Sequence, residues 1–330
     1  MAPARTLTVA VLAGGPISEH SVSLASGEMV GEGLLACGHE VLSVQIGTDG
    51  AWSVDGEAIS ITPGGGLLGA DVVFGALHGP FGEDGTVQGV LETLGVAYVG
   101  SGVAASAVCA DKVLFKELMS ARGLPQVEHA GVRRERLERS PQEVLGELGR
   151  LGLPVFVKPA NLGSSVGIAK VGASEQLEQA LQEALAHGPL AIVEAMAHGV
   201  EVECGVLGSP HGETLTVSEP GEIRFAGDWY DFQAKYTPGG MELRMPAEIS
   251  QSAAERVQRL AVEAFRHSGC EGLARVDFFV DGEHVLVNEL NTMPGFTRMS
   301  VYAKLMAHAG IEYPQLVDRL CRLALERHGR

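Results

Sequence analysis

The stretch RVDFFVDGEHVLVNELNTMPGFTRMS, Arg275 to Ser300, carries charged and amide side chains where buried strands should be apolar. Leu273–Val280 and His284–Leu290 are rich in β-branched and aromatic residues, with Asp281 and Gly282 between them, and so predict a β-hairpin. Arg275 and Asp277 lie two apart and share one face of the first strand; Glu289 and Asn291 share one face of the second. Two carboxylates and an amide oxygen beside an arginine suit a hard cation holding phosphates, because magnesium takes oxygen ligands and leaves part of its shell to phosphate. A surface hairpin with a salt bridge is the plainer alternative for the same residues.

Loop length bears on which alternative holds. If Asp281-Gly282 is a two-residue loop, Val280 pairs with Glu283 and Glu289 falls on the face opposite Asp277. Carboxylates on opposite faces cannot share a metal cluster whose ions lie about 3.5–4 Å apart. A three-residue loop, Asp281 to Glu283, pairs Val280 with His284, sets Arg275 opposite Glu289 and brings all four polar residues to one face. The chemistry therefore predicts the longer loop, with Gly282 or its neighbour left-handed or bulged.

The rest of the chain must position this hairpin. Its 330 residues can bury sizeable cores in two or three domains. A formal charge of -17 argues against nucleic acid or an anionic membrane as partner, so an anionic ligand needs locally placed lysines. The five cysteines are scattered without metal-binding spacing, which points to free thiols in a reducing compartment. The apolar run Leu7–Ala13 is too short for a membrane span and reads as a first strand.

From Leu7 to about residue 105 strands and helices alternate: strands at Leu7–Ala13, Glu40–Gln45, Asp71–His78 and Ala97–Gly100, helices at Ser21–Cys37 and Gly85–Leu94. That order predicts a parallel sheet with helices on both faces. Gly14-Gly15 is not a dinucleotide fingerprint, and no phosphate-binding P-loop pattern occurs. Glu19 and His78 would both lie beyond the carboxyl ends of the strands, where such sheets bind ligands. Each also has a structural reading: a helix-start carboxylate for Glu19, a turn residue for His78.

Farther on, Lys112 opens a helix, and Pro141–Leu151 and Ser174–His187 are two more. Strands fall at Pro154–Lys158, Ile168–Val171, Leu190–Glu194 and Glu201–Leu207, the last with glutamates at odd positions. Lys158 leads into PANLGSSVG, whose backbone N–H groups and serines can cradle phosphate, though such a stretch is also an ordinary turn. A polar connection, Glu222–Gly240, ends in Gly-Gly after several aromatics and is a candidate lid. Helices at Ser250–Ser268 and Pro314–Arg327 complete the outline.

Taken together, GGPISEHSVS, HGPFGEDG, Ala110-Asp111-Lys112, VKPANLGSSVG, YDFQAKYTPGG, ARVDFF and NELNTMPGFTRMS resemble the D-alanine–D-alanine ligases of the ATP-grasp superfamily. Each motif is weak alone; their joint order from Gly14 to Ser300 is specific, and the tail EYPQLVDRLCRLALERHG fits as well. The departures are small: Ser18 stands one place later than the family's serine, and Val301-Tyr302-Ala303 replaces a more usual Tyr-Pro. The resemblance implies an α/β fold. A parallel-sheet domain, residues 1–108, would precede an ATP-grasp fold whose two α+β halves cover 109–194 and 195–330.

The same resemblance implies the roles. ATP and D-alanine are the substrates, and an acyl phosphate on one D-alanine is attacked by the amine of the second. Asp277, Glu289 and Asn291 would hold two magnesium ions, which manganese could replace. Lys112, Lys158 and Lys235 would line the phosphates with Ser165, Glu194 and the backbone of Ala195 and Met196 would meet adenine, and Glu201 the ribose. Glu19 would pair with the first substrate's ammonium, aided by His78, while Arg275 and the N–H of Gly295 stabilise the oxyanion. Ser300 and the N–H of Val301 would take the second substrate's carboxylate. Ser164 and Tyr236 would close the site toward Glu19, a tyrosine at 236 going with D-alanine as nucleophile and phenylalanine with D-lactate. D-lactate or D-serine as acceptor, or another ATP-grasp carboxylate–amine ligation, are the alternatives. The family resemblance also implies a cytoplasmic homodimer acting in peptidoglycan precursor synthesis.

Overall fold

The computed structural model describes residues 5–17, 19–163, 167–211, 215–225 and 240–329. They form three sheets. The first runs in the order β4-β3-β2-β1-β5-β6, with β1 (Thr8–Gly14), β2 (Glu40–Ile46), β3 (Trp52–Val54), β4 (Glu57–Ala58), β5 (Val72–Gly75) and β6 (Ala97–Tyr98). Its β2-β1-β5-β6 portion is parallel, as the strand–helix alternation predicts; β3 and β4 add an antiparallel edge that the sequence reading missed.

The second sheet is antiparallel in the order β7-β10-β8-β9: β7 (His129–Arg133), β8 (Val155–Pro159), β9 (Ala169–Val171) and β10 (Leu190–Ala195). The third joins β11 (Val200–Gly208), β12 (Thr216–Val217), β13 (Gly221–Phe225), β14 (Met241–Arg244), β15 (Gly272–Asp281) and β16 (His284–Asn291) in the order β14-β13-β11-β15-β16, with β12 beside β11. No described helix is long and apolar enough to cross a membrane.

Two packing features bring the sheets together. The last helix, Tyr313–Arg327, buries Leu316, Val317 and Leu320 against Val9, Val11 and Phe74 of the first sheet, so the two ends of the chain share one core. The helix Lys112–Ala121 packs Phe115 and Met119 with the third sheet, while the Lys112 N–H donates to Ala160 O just past β8 (3.0 Å). Lys112 is therefore anchored between the second and third sheets. Asp111 fixes that helix start by accepting from the N–H groups of Val113 (3.0 Å) and Leu114 (3.1 Å).

Several expectations need correcting. The strand expected at Asp71–His78 stops at Gly75, because the His78 ring leaves the sheet for Ser26 and the Met293 carbonyl. The connection expected at Glu222–Gly240 begins as β13, where Ile223 is buried and Glu222 is satisfied by Arg224 (2.7 Å) and the Glu248 N–H (3.0 Å). Polar flanks hid that alternation. The charged segment Arg134–Arg139 is a short helix that buries Leu137, and Val103–Ala110 and Val301–His308 are helices not read from the sequence.

The hairpin register is also different from expectation. Asp281 pairs with His284 and Val280 with Val285, so the loop is the two residues Gly282-Glu283. Gly282 has φ 57 while Glu283 is not among the positive-φ residues, which matches a II′ turn with glycine first. This register alone would put Glu289 on the wrong face. A bulge between Asp277/Phe278 and their partners leaves Asn288 as the extra residue, after which Asp277 stands opposite Glu289 and Arg275 opposite Asn291. The bulge does what the longer loop was expected to do: Arg275, Asp277, Glu289 and Asn291 share a face.

Candidate active site

That polar face lies at the junction of two cavities of ≈ 660 and ≈ 830 Å³, both lined by Lys112, Glu203 and Glu289. Arg275 clasps Asp277 through Nε (2.8 Å) and its terminal nitrogen (2.7 Å), and reaches Glu203 on β11 at 2.9 Å. Asn291 adds an amide donor to Asp277 at 3.2 Å, and Lys112 Nζ lies 3.5 Å from Glu289. Burial opposes the charge on Arg275, but Asp277 and Glu203 outweigh it and hold the guanidinium pKa well above its ordinary value.

The donor chemistry fits a hard divalent cation. Two carboxylates and an amide oxygen face one junction, with Lys112 and Arg275 paired to them. Among the described residues no group of three His, Cys, Asp or Glu side chains could hold a metal unaided. Oxygens from a bound ligand must complete the shell, as phosphates do for magnesium.

The smaller cavity is walled by the second and third sheets and lined by Lys158, Glu194, Ala195, Met196 and Glu201. Glu194 is 4 % exposed and sits between Lys158 (2.6 Å) and Lys116 (3.3 Å). Burial would raise its pKa, yet the two lysines pull it down to about 2. Lys116, only 1 % exposed, has its pKa lowered by burial, whereas Lys158 is held above the ordinary lysine value against burial by Glu194 and Glu289. The N–H groups of Ala195 and Met196 already serve Glu128 O (2.8 Å) and Pro154 O (3.3 Å).

The larger cavity opens toward the first sheet and takes in Glu19, His78, Arg275, Asn291, Gly295 and Ser300. Glu19 occupies the N-cap position of the helix His20–Ala36 but makes no cap hydrogen bond; its Oε2 would lie 2.5 Å from a β-carbon at Gly79, which has φ +68. Only glycine suits position 79 on both counts. His78 is buried, with Nε2 at 2.9 Å from Ser26 Oγ and Nδ1 at 3.3 Å from Met293 O. Burial lowers its pKa, so the ring is neutral, with Nδ1–H donating to the carbonyl.

Ser300 is the N-cap of the helix Val301–His308, yet its hydroxyl turns back to Thr297, 3.0 Å from the N–H and 2.9 Å from Oγ1. Val301 thus begins a helix whose first N–H groups lack a side-chain cap, a setting that favours a carboxylate. Gly295 closes this end, 3.2 Å from Ser300 Oγ when measured from an added β-carbon. Ser164, Ser165, Lys235 and Tyr236 lie outside the described residues, as does most of the candidate lid.

Four polar residues escaped the sequence reading. Lys116 lies one helical turn beyond Lys112 on the same face, which was the available signal. Glu203 pairs with Asp277 across β11 and β15; the odd-position glutamates had marked its strand but not its partner. Asn288 lines the smaller cavity with its amide oxygen buried and without a hydrogen-bond partner among the described residues. Glu83 lines the larger cavity within HGPFGEDG, and burial together with Glu19 pushes its pKa up to about 8.

Comparison with known proteins places the chain in a family. A family model described as the D-ala D-ala ligase C-terminus matches residues 118–322, and one for the N-terminus matches 61–101. The D-alanine–D-alanine ligase of Mycobacterium ulcerans (strain Agy99) is 41% identical, covering 97% of this chain and 96% of that one. That of Mycobacterium tuberculosis (strain CDC 1551 / Oshkosh) is 41% identical over 98% and 96%. Among solved structures, the VanG D-Ala:D-Ser ligase from Enterococcus faecalis superposes with a TM-score of 0.86 at 32% identity, covering 97% of this chain and 100% of that one. The D-alanine–D-alanine ligase from Coxiella burnetii gives 0.85 at 33%, covering 99% and 96%. With an ATP-grasp architecture, a polar strand face between two cavities and relatives matched over nearly their whole length, the chain belongs to the D-alanine–D-alanine ligase family.

Proposed function

We propose that this protein joins two D-alanine molecules into D-alanyl-D-alanine, consuming ATP and releasing ADP and phosphate, for peptidoglycan precursor synthesis. One observation carries the reading: the Arg275, Asp277, Glu289 and Asn291 face stands where a nucleotide-sized cavity meets a carboxylate-rich one. ATP occupies the smaller cavity, with Lys112 and Lys158 along its phosphates, Glu194, Ala195 and Met196 at the adenine edge and Glu201 at the ribose. Asp277, Glu289 and Asn291 hold two magnesium ions, which when bound neutralise charge on the transferring phosphoryl group.

In the larger cavity Glu19 pairs with the ammonium of the first D-alanine, and neutral His78 supports that end. The carboxylate of this D-alanine takes the γ-phosphoryl group. Arg275 and the Gly295 N–H then stabilise the oxyanion formed when the second amine attacks. Ser300 and the Val301 N–H hold the second carboxylate at the helix start. Ser164, Ser165, Lys235 and Tyr236 complete the phosphate and closure contacts. The protein acts in the cytoplasm as a homodimer.

The test is phosphate release from ATP that depends on D-alanine, with the dipeptide identified by mass. Release that ignores D-alanine would overturn the reading. The similarity to a D-Ala:D-Ser ligase structure favours a second acceptor as the rival reading. A competition among D-alanine, D-serine and D-lactate decides it, and dominant D-alanyl-D-serine or D-alanyl-D-lactate at neutral pH would replace the first proposal.

A further inference from the structure

The second D-alanine enters as an ammonium and must lose a proton before its nitrogen can attack. The cavity that receives it contains several carboxylates, and most are committed. Asp84 accepts from the N–H groups of Phe81 (2.8 Å) and Thr86 (2.9 Å), and Asp111 caps its helix. Glu203 is tied to Arg275 at 2.9 Å, and Glu289 faces Lys112 at 3.5 Å. Glu83 stands outside these pairings, and Gly79 sets it beside Glu19. Glu19 Oε2 lies 2.5 Å from the position of a Gly79 β-carbon, and the Gly79 N–H donates to the Glu83 carboxylate. The Glu83 N–H in turn donates to Gly79 O at 3.0 Å, which fixes the turn holding the pair.

We propose that Glu83 is the general base of the ligation step, taking a proton from the ammonium of the second D-alanine; the proposal rests on the ligase reading above. The N–H bond breaks toward a Glu83 oxygen, and the freed nitrogen lone pair forms the bond to the acyl carbon. The acyl carbon–oxygen bond to phosphate then breaks, and phosphate leaves carrying the nitrogen's second proton. Glu19 keeps the first ammonium, so the two carboxylates divide the two amines. The charged groups acting on Glu83 are Glu19, Lys112 and Arg275, with His78 neutral beside Gly79. Burial first, then Glu19, pushes the Glu83 pKa up to about 8, near the working pH at which a general base is most effective.

Hydroxylamine separates this step from the ones before it, because it is uncharged at neutral pH and attacks an acyl phosphate without a base. Unmutated protein with ATP, magnesium, D-alanine and hydroxylamine should form D-alanine hydroxamate; failure here would overturn the ligase reading, not the role of Glu83. Glu83→Gln should keep hydroxamate formation near the unmutated rate and lower dipeptide formation on the order of 10²–10⁴-fold. It should also abolish the rise of the dipeptide rate with pH. Glu83→Asp keeps a carboxylate and should recover part of that rate, with thermal melting run on both variants. Equal loss of hydroxamate and dipeptide in both folded variants, or an unchanged dipeptide pH profile in Glu83→Gln, overturns the proposal. Should Glu83→Gln not fold, the decision passes to Glu83→Asp, whose dipeptide-to-hydroxamate ratio must fall.

Discussion

Two glutamates, buried Glu194 at one cavity and half-buried Glu83 at the other, meet the same penalty and resolve it in opposite ways. Glu194 is flanked by Lys116 and Lys158 and stays ionised, its pKa drawn down to about 2 from the ordinary 4.5. Glu83 meets another carboxylate, Glu19, and keeps its proton instead, with a pKa pushed up to about 8. Burial disfavours charge at both; the sign of the neighbour decides the outcome. At the smaller cavity the charges on Lys116, Lys158 and Glu194 are matched within the protein itself. At the larger cavity Glu83 faces a like charge instead.

The largest effect is expected at the junction. Arg275→Met should lower turnover on the order of 10²–10³-fold by analogy with a lost oxyanion donor. Because Arg275 also neutralises Asp277 and Glu203, the ligand-free protein should melt at a lower temperature as well. Steady-state kinetics and melting curves check both, and normal turnover would remove Arg275 from the chemistry.

Breaking the matched side comes next. Glu194→Gln leaves Lys116 and Lys158 facing a neutral amide, and should cost about 3–5 kcal/mol by denaturant titration. Lys116→Met is milder, since Lys158 still holds Glu194 at 2.6 Å, and should cost about 1–3 kcal/mol while raising KM for ATP. If the two variants lose equal stability, the charges are not shared as the distances indicate.

The smallest effect sharpens the contrast through pH. At Glu194 the folded state holds its proton more weakly than the unfolded chain, so the stability it lends is present above pH 4.5 and is lost as pH falls toward 2. At Glu83 the folded state binds the proton more tightly, so stability declines as pH rises from 4.5 through about 8. Melting temperature measured across that upper window should fall less steeply in Glu83→Gln than in unmutated protein. Parallel slopes would mean that Glu83 is ionised in the folded state throughout.

The family, the alternation of the first sheet and the polar face of the hairpin were all legible in the sequence. Strand periodicity places Arg275 beside Asp277, and Glu289 beside Asn291, without any tertiary information, because side chains two apart point the same way. Ordered motifs from Gly14 to Ser300 sufficed for the family. How the two strands align was not legible. The favoured loop was one residue too long, and only the bulge at Asn288 restored a common face after the Gly282-Glu283 turn. A single inserted residue reverses the facing of everything beyond it, and no local pattern in VLVNELN marks which residue is extra.

Pairings between distant elements were likewise decided by tertiary structure. Lys116 reads as one more helix lysine until Glu194, 78 positions later, is folded against it. Glu83 is one more residue of HGPFGEDG until Gly79 sets it beside Glu19. Sequence determined which chemical groups this protein owns and which way each points along its own strand or helix, since those follow from backbone geometry. Which charges are matched and which are left facing a like charge depends on register and packing across sheets, and that is why the contrast between Glu194 and Glu83 exists only in the folded molecule.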